Sequence, residues 1–194
     1  SVWVKNVKTS KKCAVAVQFD SYCGDKCYVD TIQGDDCKDD LLAWGVTAPI
    51  GQFGETAPPM GAGPMGTLTV NNILGYSPTG LLKLYCHVGY DLGRIRVANI
   101  VGIGKSTIGD TTTGVTGGSF QELTIGNYYV SAFSESTPDT VGCLNIGSPS
   151  NGGAWSNMGV INIGNFYDLP YSAASTGYGI YIGSPCDGLN VGKY

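Results

Sequence analysis

Gly104-Lys105-Ser106, inside the stretch IVGIGKST at 100–107, carries the residue types of a phosphate cradle. Such a loop needs an earlier glycine, five residues before the second, and must run from a buried strand into a helix. That earlier position is Asn99, and Ser106 is followed by TIGDTTTGVTGG, a run of β-branched residues and glycines that starts no helix. The dinucleotide pattern fails as well, because Gly102-x-Gly104 leads to Thr107 where a third glycine belongs. No nucleotide loop is expected.

Nucleophilic chemistry is equally hard to assemble. His87 is the only histidine, and its neighbour Cys86 would point to the opposite face of a strand, so the two cannot pair as nucleophile and base. Neither a Gly-x-Ser-x-Gly elbow nor a His-Glu-x-x-His pair occurs. The only glutamates are Glu55, Glu122 and Glu135, none in a recognisable acid–base setting. The expectation is a protein that is not an enzyme.

Two clusters near the N-terminus remain. Seven of the twelve aspartates fall between 20 and 40. Asp30, Asp35, Asp36, Asp39 and Asp40 are the place to look for a bound cation, with Ca²⁺ the natural fit to carboxylate and carbonyl oxygens. The EF-hand pattern is absent, and a solvated acidic face is the plainer reading. No other cofactor is implied.

The cysteines are Cys13, Cys23, Cys27, Cys37, Cys86, Cys143 and Cys186, the first four spaced Cys-x9-Cys-x3-Cys-x9-Cys. Structural zinc would call for Cys-x2-Cys knuckles, so disulfides are expected to tie the Cys/Asp-rich segment 13–45. Three pairings are open: Cys13–Cys37 with Cys23–Cys27, Cys13–Cys27 with Cys23–Cys37, or Cys13–Cys23 with Cys27–Cys37. Disulfides imply an oxidising, extracellular setting, and the odd seventh cysteine leaves a free thiol or an intermolecular bridge. The start Ser-Val-Trp-Val, without Met, suits a processed mature chain.

The elements that would position these groups are strands. Segments such as SVWVKNV, GTLTVNNIL, GRIRVANIVGI and MGVINIGNFY are rich in β-branched and aromatic residues and bounded by Gly, Pro, Asn or Ser. The one helical candidate is a turn or two at DDCKDDLLAWG. Ile-Gly recurs at Ile103-Gly104, Ile125-Gly126, Ile146-Gly147, Ile163-Gly164 and Ile182-Gly183, about 20 residues apart, each reading as a strand end breaking into a turn. Because the spacing drifts, the expected fold is a single all-β domain over 1–194: a two-sheet antiparallel sandwich, jelly-roll or pilin-like, with a disulfide-stapled N-terminal region. A β-solenoid is the alternative.

Charged residues make up 13% of the 194, about half the usual share, with a net charge of −4 and 30 glycines. No basic stripe suits nucleic acid and no apolar run suits a membrane span. So poorly charged a surface is expected to be covered, which points to a structural subunit of an extracellular assembly: a surface fibre, pilus-like filament, sheath or coat on a cell or virion, built from copies of itself. Residues 1–8 would serve as the edge or donor strand through Val2, Trp3, Val4 and Val7. The Gly/Pro/Met loop 51–66 and the polar loop 109–119 are further contact candidates. The alternative is a receptor- or glycan-binding module, such as an adhesin, lectin-like domain or virion spike, using aromatics among Asn and Ser: Trp155, Phe166, Tyr167 and Tyr171.

Overall fold

In a computed structural model, residues 1–9, 16–20, 26–35, 40–45, 66–77, 80–85, 91–108, 119–131, 144–146, 157–169 and 179–194 are described. They form β1 (Val2–Thr9), β2 (Val17–Asp20), β3 (Lys26–Asp35), β4 (Asp40–Gly45), β5 (Thr67–Tyr76), β6 (Gly80–Tyr85) and β7 (Arg94–Ile103). There follow β8 (Ser106–Ile108), β9 (Ser119–Ser131), β10 (Leu144–Ile146), β11 (Asn157–Leu169), β12 (Ile180–Ile182) and β13 (Cys186–Lys193). Helical turns at DDCKDDLLAWG are not found where that segment is described, since Asp40–Gly45 is strand.

The odd strands make a seven-stranded sheet in the order β1-β3-β5-β7-β9-β11-β13, and the even strands a six-stranded sheet in the order β12-β10-β8-β6-β4-β2. Every pairing is parallel. This corrects the antiparallel sandwich, jelly-roll or pilin-like. Strand composition and alternation are alike in parallel and antiparallel sheets, and what differs is the connection. An antiparallel pair can close through a tight turn, whereas a parallel pair needs a long crossover. Here each crossover carries a strand of the opposite sheet, so the chain winds as a coil between two parallel sheets.

Drift in spacing does not prevent stacking. Equivalent residues on successive coils are 41, 27, 28 and 38 apart between Thr31 and Asn165. The extra residues fall between strands, and register inside the long sheet is kept.

That register builds columns. Cys27, Leu68, Ile95, Leu123 and Ile161 stack in one; Val29, Val70, Val97, Ile125 and Ile163 in a second; Ile32, Ile73, Ile100, Tyr128 and Phe166 in a third. All are buried and belong to one core cluster with Leu42, Leu82, Leu84, Ile108, Leu144 and Ile146 of the facing sheet. Alternation would put inward residues two apart, yet the second and third columns are three apart. Each strand bends there, and the pairing skips one residue at Asp30, Asn71, Ala98, Gly126, Gly164 and Gly192.

Beside the bend runs an amide ladder. Asn72 Nδ2 donates to Thr31 Oγ1 (3.1 Å), Asn99 to Asn72 Oδ1 (2.9 Å), Asn127 to Asn99 Oδ1 (2.7 Å) and Asn165 to Asn127 Oδ1 (2.7 Å). Each asparagine satisfies the next, as in stacked amide ladders generally. Asn99→Ala removes two of these bonds and strands two part-buried partners, so chemical denaturation should show a loss of about 1–3 kcal/mol.

IVGIGKST lies at a corner between the sheets. β7 ends at Ile103, Gly104 takes φ +151°, and β8 begins at Ser106. The Ser106 hydroxyl is buried without a hydrogen-bond partner and Ser106 opens a strand rather than a helix, so the phosphate-loop geometry is not met here. Ser106→Ala should leave stability unchanged or raise it by up to about 1 kcal/mol in the same assay, since an unpaired buried hydroxyl only costs. Not every Ile-Gly ends a strand: Gly126 and Gly164 sit in the middle of β9 and β11.

No disulfide is found among the described residues. Cys27 and Cys186 are the cysteines within the described residues, and both are thiols. All three pairings of the first four cysteines require Cys27, so a fully disulfide-tied 13–45 segment is corrected as well. Strand alternation sets Cys27 in the core above Leu68, where a thiol serves as a small apolar group. Cys13, Cys23, Cys37, Cys86 and Cys143 lie outside the described residues.

Candidate functional site

β1 is the first strand of the long sheet and, among the described residues, pairs on one side only, with β3. Val2, Val4 and Val7 continue the three core columns over Cys27, Val29 and Ile32. With no described strand beyond them, Val2 stays 36% exposed and Val4 and Val7 half-buried. Trp3 is 74% exposed and rests on Tyr28, ring centroids 4.7 Å apart. β13 is the opposite edge and, among the described residues, pairs only with β11. Leu189 there is 43% exposed; Tyr194, just past the strand, is 81% exposed and stacks on Phe166 at 5.5 Å. Among the described residues each edge therefore lacks a second neighbouring strand and carries apolar side chains, the condition under which another strand can add.

The acidic cluster is only partly in view. Asp30 is half-buried and accepts from Asn71 Nδ2 at 2.9 Å, and Asp35 is exposed at the end of the same strand. Five residues of extended chain hold these two carboxylates roughly 16 Å apart. Asp40 opens β4, while Asp36 and Asp39 lie outside the described residues. Among the described residues no three His, Cys, Asp or Glu side chains gather as metal ligands.

The aromatic candidates separate by face. Phe166 is 1% exposed and stacks on Tyr128 at 5.1 Å, so it belongs to the core and not to a binding surface. Tyr167, one residue on, points outward, 42% exposed, and stacks on Tyr129 at 4.7 Å with 6° between the rings. Trp155, Tyr171, His87, Glu55, Glu135, the 51–65 stretch and residues 109–118 lie outside the described residues.

Glu122 is the described glutamate, and it is occupied. Its Oε2 takes Arg96 Nη2 at 3.2 Å and lies 3.9 Å from Arg94 Nε, while Thr124 donates to Oε1. The Arg96 hydrogen bond first, then that of Thr124, holds the carboxyl below its ordinary value of 4.5 despite partial desolvation. A lowered folded-state pKa means stability that is present above the ordinary carboxylate range and lost as pH falls through the folded value. Below about pH 4 the wild type should therefore lose more stability than Glu122→Gln, by under about 1 kcal/mol because the arginines are exposed, as paired denaturation curves would read.

Sequence reading missed the amide ladder and took the glycines of the bend for strand ends. A signal for both exists, since an apolar residue, any residue, a polar one and an apolar one recur as VNNI, VANI, IGNY and IGNF. No helix among the described residues is long and apolar enough to cross a membrane. Comparison of the chain with protein-family models, curated proteins and solved structures finds no match.

Proposed function

We propose that this chain is a structural subunit of a fibre, sheath or coat, in which copies add end to end through the edge strands of the long sheet. The observation that carries the reading is the pair of open edges: β1 with Val2 and Trp3, β13 with Leu189 and Tyr194. A parallel sheet has two different edges, so β1 of one copy meets β13 of another. Such a contact is head-to-tail and does not close on itself, which gives filaments. β1 is also the strand available for exchange, being exposed along most of its length and held by one neighbour.

The charge-poor, glycine- and tyrosine-rich composition supports a surface that is covered in use, at the outside of a cell or virion. The location no longer draws on a disulfide-tied N-terminal segment.

Sedimentation velocity and electron microscopy test this. Raising the concentration from about 1 to about 100 μM should give a ladder of larger species, as expected for an interface of modest affinity. The Val2→Lys/Trp3→Lys variant should keep the wild-type far-UV spectrum and stay monomeric, because lysine on an edge strand opposes further pairing. A wild type that remains monomeric throughout that range overturns the proposal.

A further inference from the structure

We propose that a trough on the outer face of the last three strands of the long sheet binds a linear, uncharged oligosaccharide. The trough crosses β9, β11 and β13 and has a volume of about 530 Å³, within the range of small-ligand sites. Its floor is Gly126, Gly164 and Gly192, stacked rung on rung. A Cβ at Gly126 would stand 2.6 Å from the Ala98 carbonyl oxygen, and at Gly164 or Gly192 2.5 Å from the carbonyl oxygen of the glycine before it. Close stacking therefore keeps the floor bare backbone, and the depression runs along the coil axis, across the strands. Its occupant must be long, narrow and laid perpendicular to them.

The wall selects the chemistry. Thr124, Asn162 and Asn190 stand in one outward column, and no ionisable side chain lines the trough. Asn190 Nδ2 donates to Asn162 Oδ1 at 2.8 Å, which leaves the Asn162 amide N–H groups and the Asn190 carbonyl oxygen for a ligand. A row offering donors and acceptors together matches hydroxyl groups, which do both, while the nearest charges, Arg96 and Glu122 beside Thr124, are already paired with each other. An extended peptide fits poorly, because β9 and β11 already spend their backbone groups on neighbours at both sides. The stacked, outward Tyr129 and Tyr167 lie three residues farther along the same strands and give the outer face an aromatic flank for sugar C–H surfaces.

The trough is complete within one copy, and because Leu189 lines both it and the β13 edge, this inference is read on a variant that stays monomeric. It is tested by calorimetric titration of the Val2→Lys/Trp3→Lys variant, whose substitutions are remote from the trough, with β-1,4-glucose, β-1,4-xylose, β-1,4-mannose and α-1,4-glucose hexamers and a hexauronate. One neutral hexamer should bind saturably, with Kd between about 10 μM and 1 mM. Adding Asn162→Ala or Asn190→Ala should weaken it about 5- to 30-fold, each lost hydrogen bond leaving a hydroxyl unpaired, with the melting temperature kept. Absence of saturable binding by every neutral hexamer, affinity that survives both asparagine substitutions, or preference for the hexauronate overturns the proposal.

Discussion

Gly75→Val should remove a large part of the stability of the folded state. Gly75 sits at the end of β5 with φ +130°, a conformation that β-branched residues avoid. Its missing Cβ faces the Gly34 carbonyl oxygen of the previous coil, and a side chain would overlap that oxygen outright. Backbone cannot swing aside as a flexible side chain can. Gly102 stands in the same relation to Gly75, so opening one corner loosens the next. Strain and overlap together should exceed about 4 kcal/mol, a large part of a domain's usual 5–15 kcal/mol. Far-UV circular dichroism with urea titration reads the outcome. Gly188→Ala is the control: the nearest atom to its Cβ is Val160 Cγ1 at 4.0 Å, and stability should change by no more than about 0.5 kcal/mol. A Gly75→Val protein as stable as wild type would mean that the coils do not stack as described.

The second large effect is expected at Phe166→Ala, with a loss of about 3–5 kcal/mol. Phe166 is 1% exposed, lies nearly parallel to Tyr128 at 3° and continues the stack to Tyr194. Truncation opens a cavity in the third core column and breaks two ring contacts at once, each adding about 0.5–1.5 kcal/mol beyond burial. Scanning calorimetry should show the melting temperature falling by roughly 6–20 °C for a chain of this size. Tyr167→Ala, one residue along, removes an outward ring stacked on Tyr129 and should cost at most about 1.5 kcal/mol. Equal losses at the two positions would contradict the inward and outward faces of β11.

These neighbours show how far the sequence could be read. β-branched and aromatic composition makes strands legible, and the turn at IVGIGKST could be distinguished from a phosphate loop because no helix can follow it. Pairing direction could not be read that way, because Val97 and Val70 alternate identically in either sheet type. The strongest clue lay in words that resemble each other: LTIGNYY with INIGNFY, and LNIGSPS with IYIGSPC. In the structure Leu123 lies beside Ile161 and Leu144 beside Ile180, so like words stack on like. Taken as one series about 20 residues apart, they mix two sheets and hide a long-sheet coil spacing that ranges from 25 to 41.

Phe166 was misplaced for a related reason. Strict alternation from Ile163 points Phe166 outward, and only the skipped residue at Gly164 turns it into the core. The Cys-x9-Cys-x3-Cys-x9-Cys spacing suggested cross-links, while alternation in KCYVDTI already placed Cys27 on the face it shares with Val29. The open edges at Trp3 and Tyr194 follow from sheet order, and sheet order is not written in any local stretch of sequence.

The most direct test of the parallel coil is a nuclear Overhauser spectrum of the Val2→Lys/Trp3→Lys protein with its asparagines selectively labelled. Successive parallel stacking predicts cross-peaks linking the side-chain amides of Asn72 with Asn99, Asn99 with Asn127, and Asn127 with Asn165. Strong cross-strand Hα–Hα contacts between β7 and β9, the mark of antiparallel neighbours, together with silent asparagine amides, would contradict it.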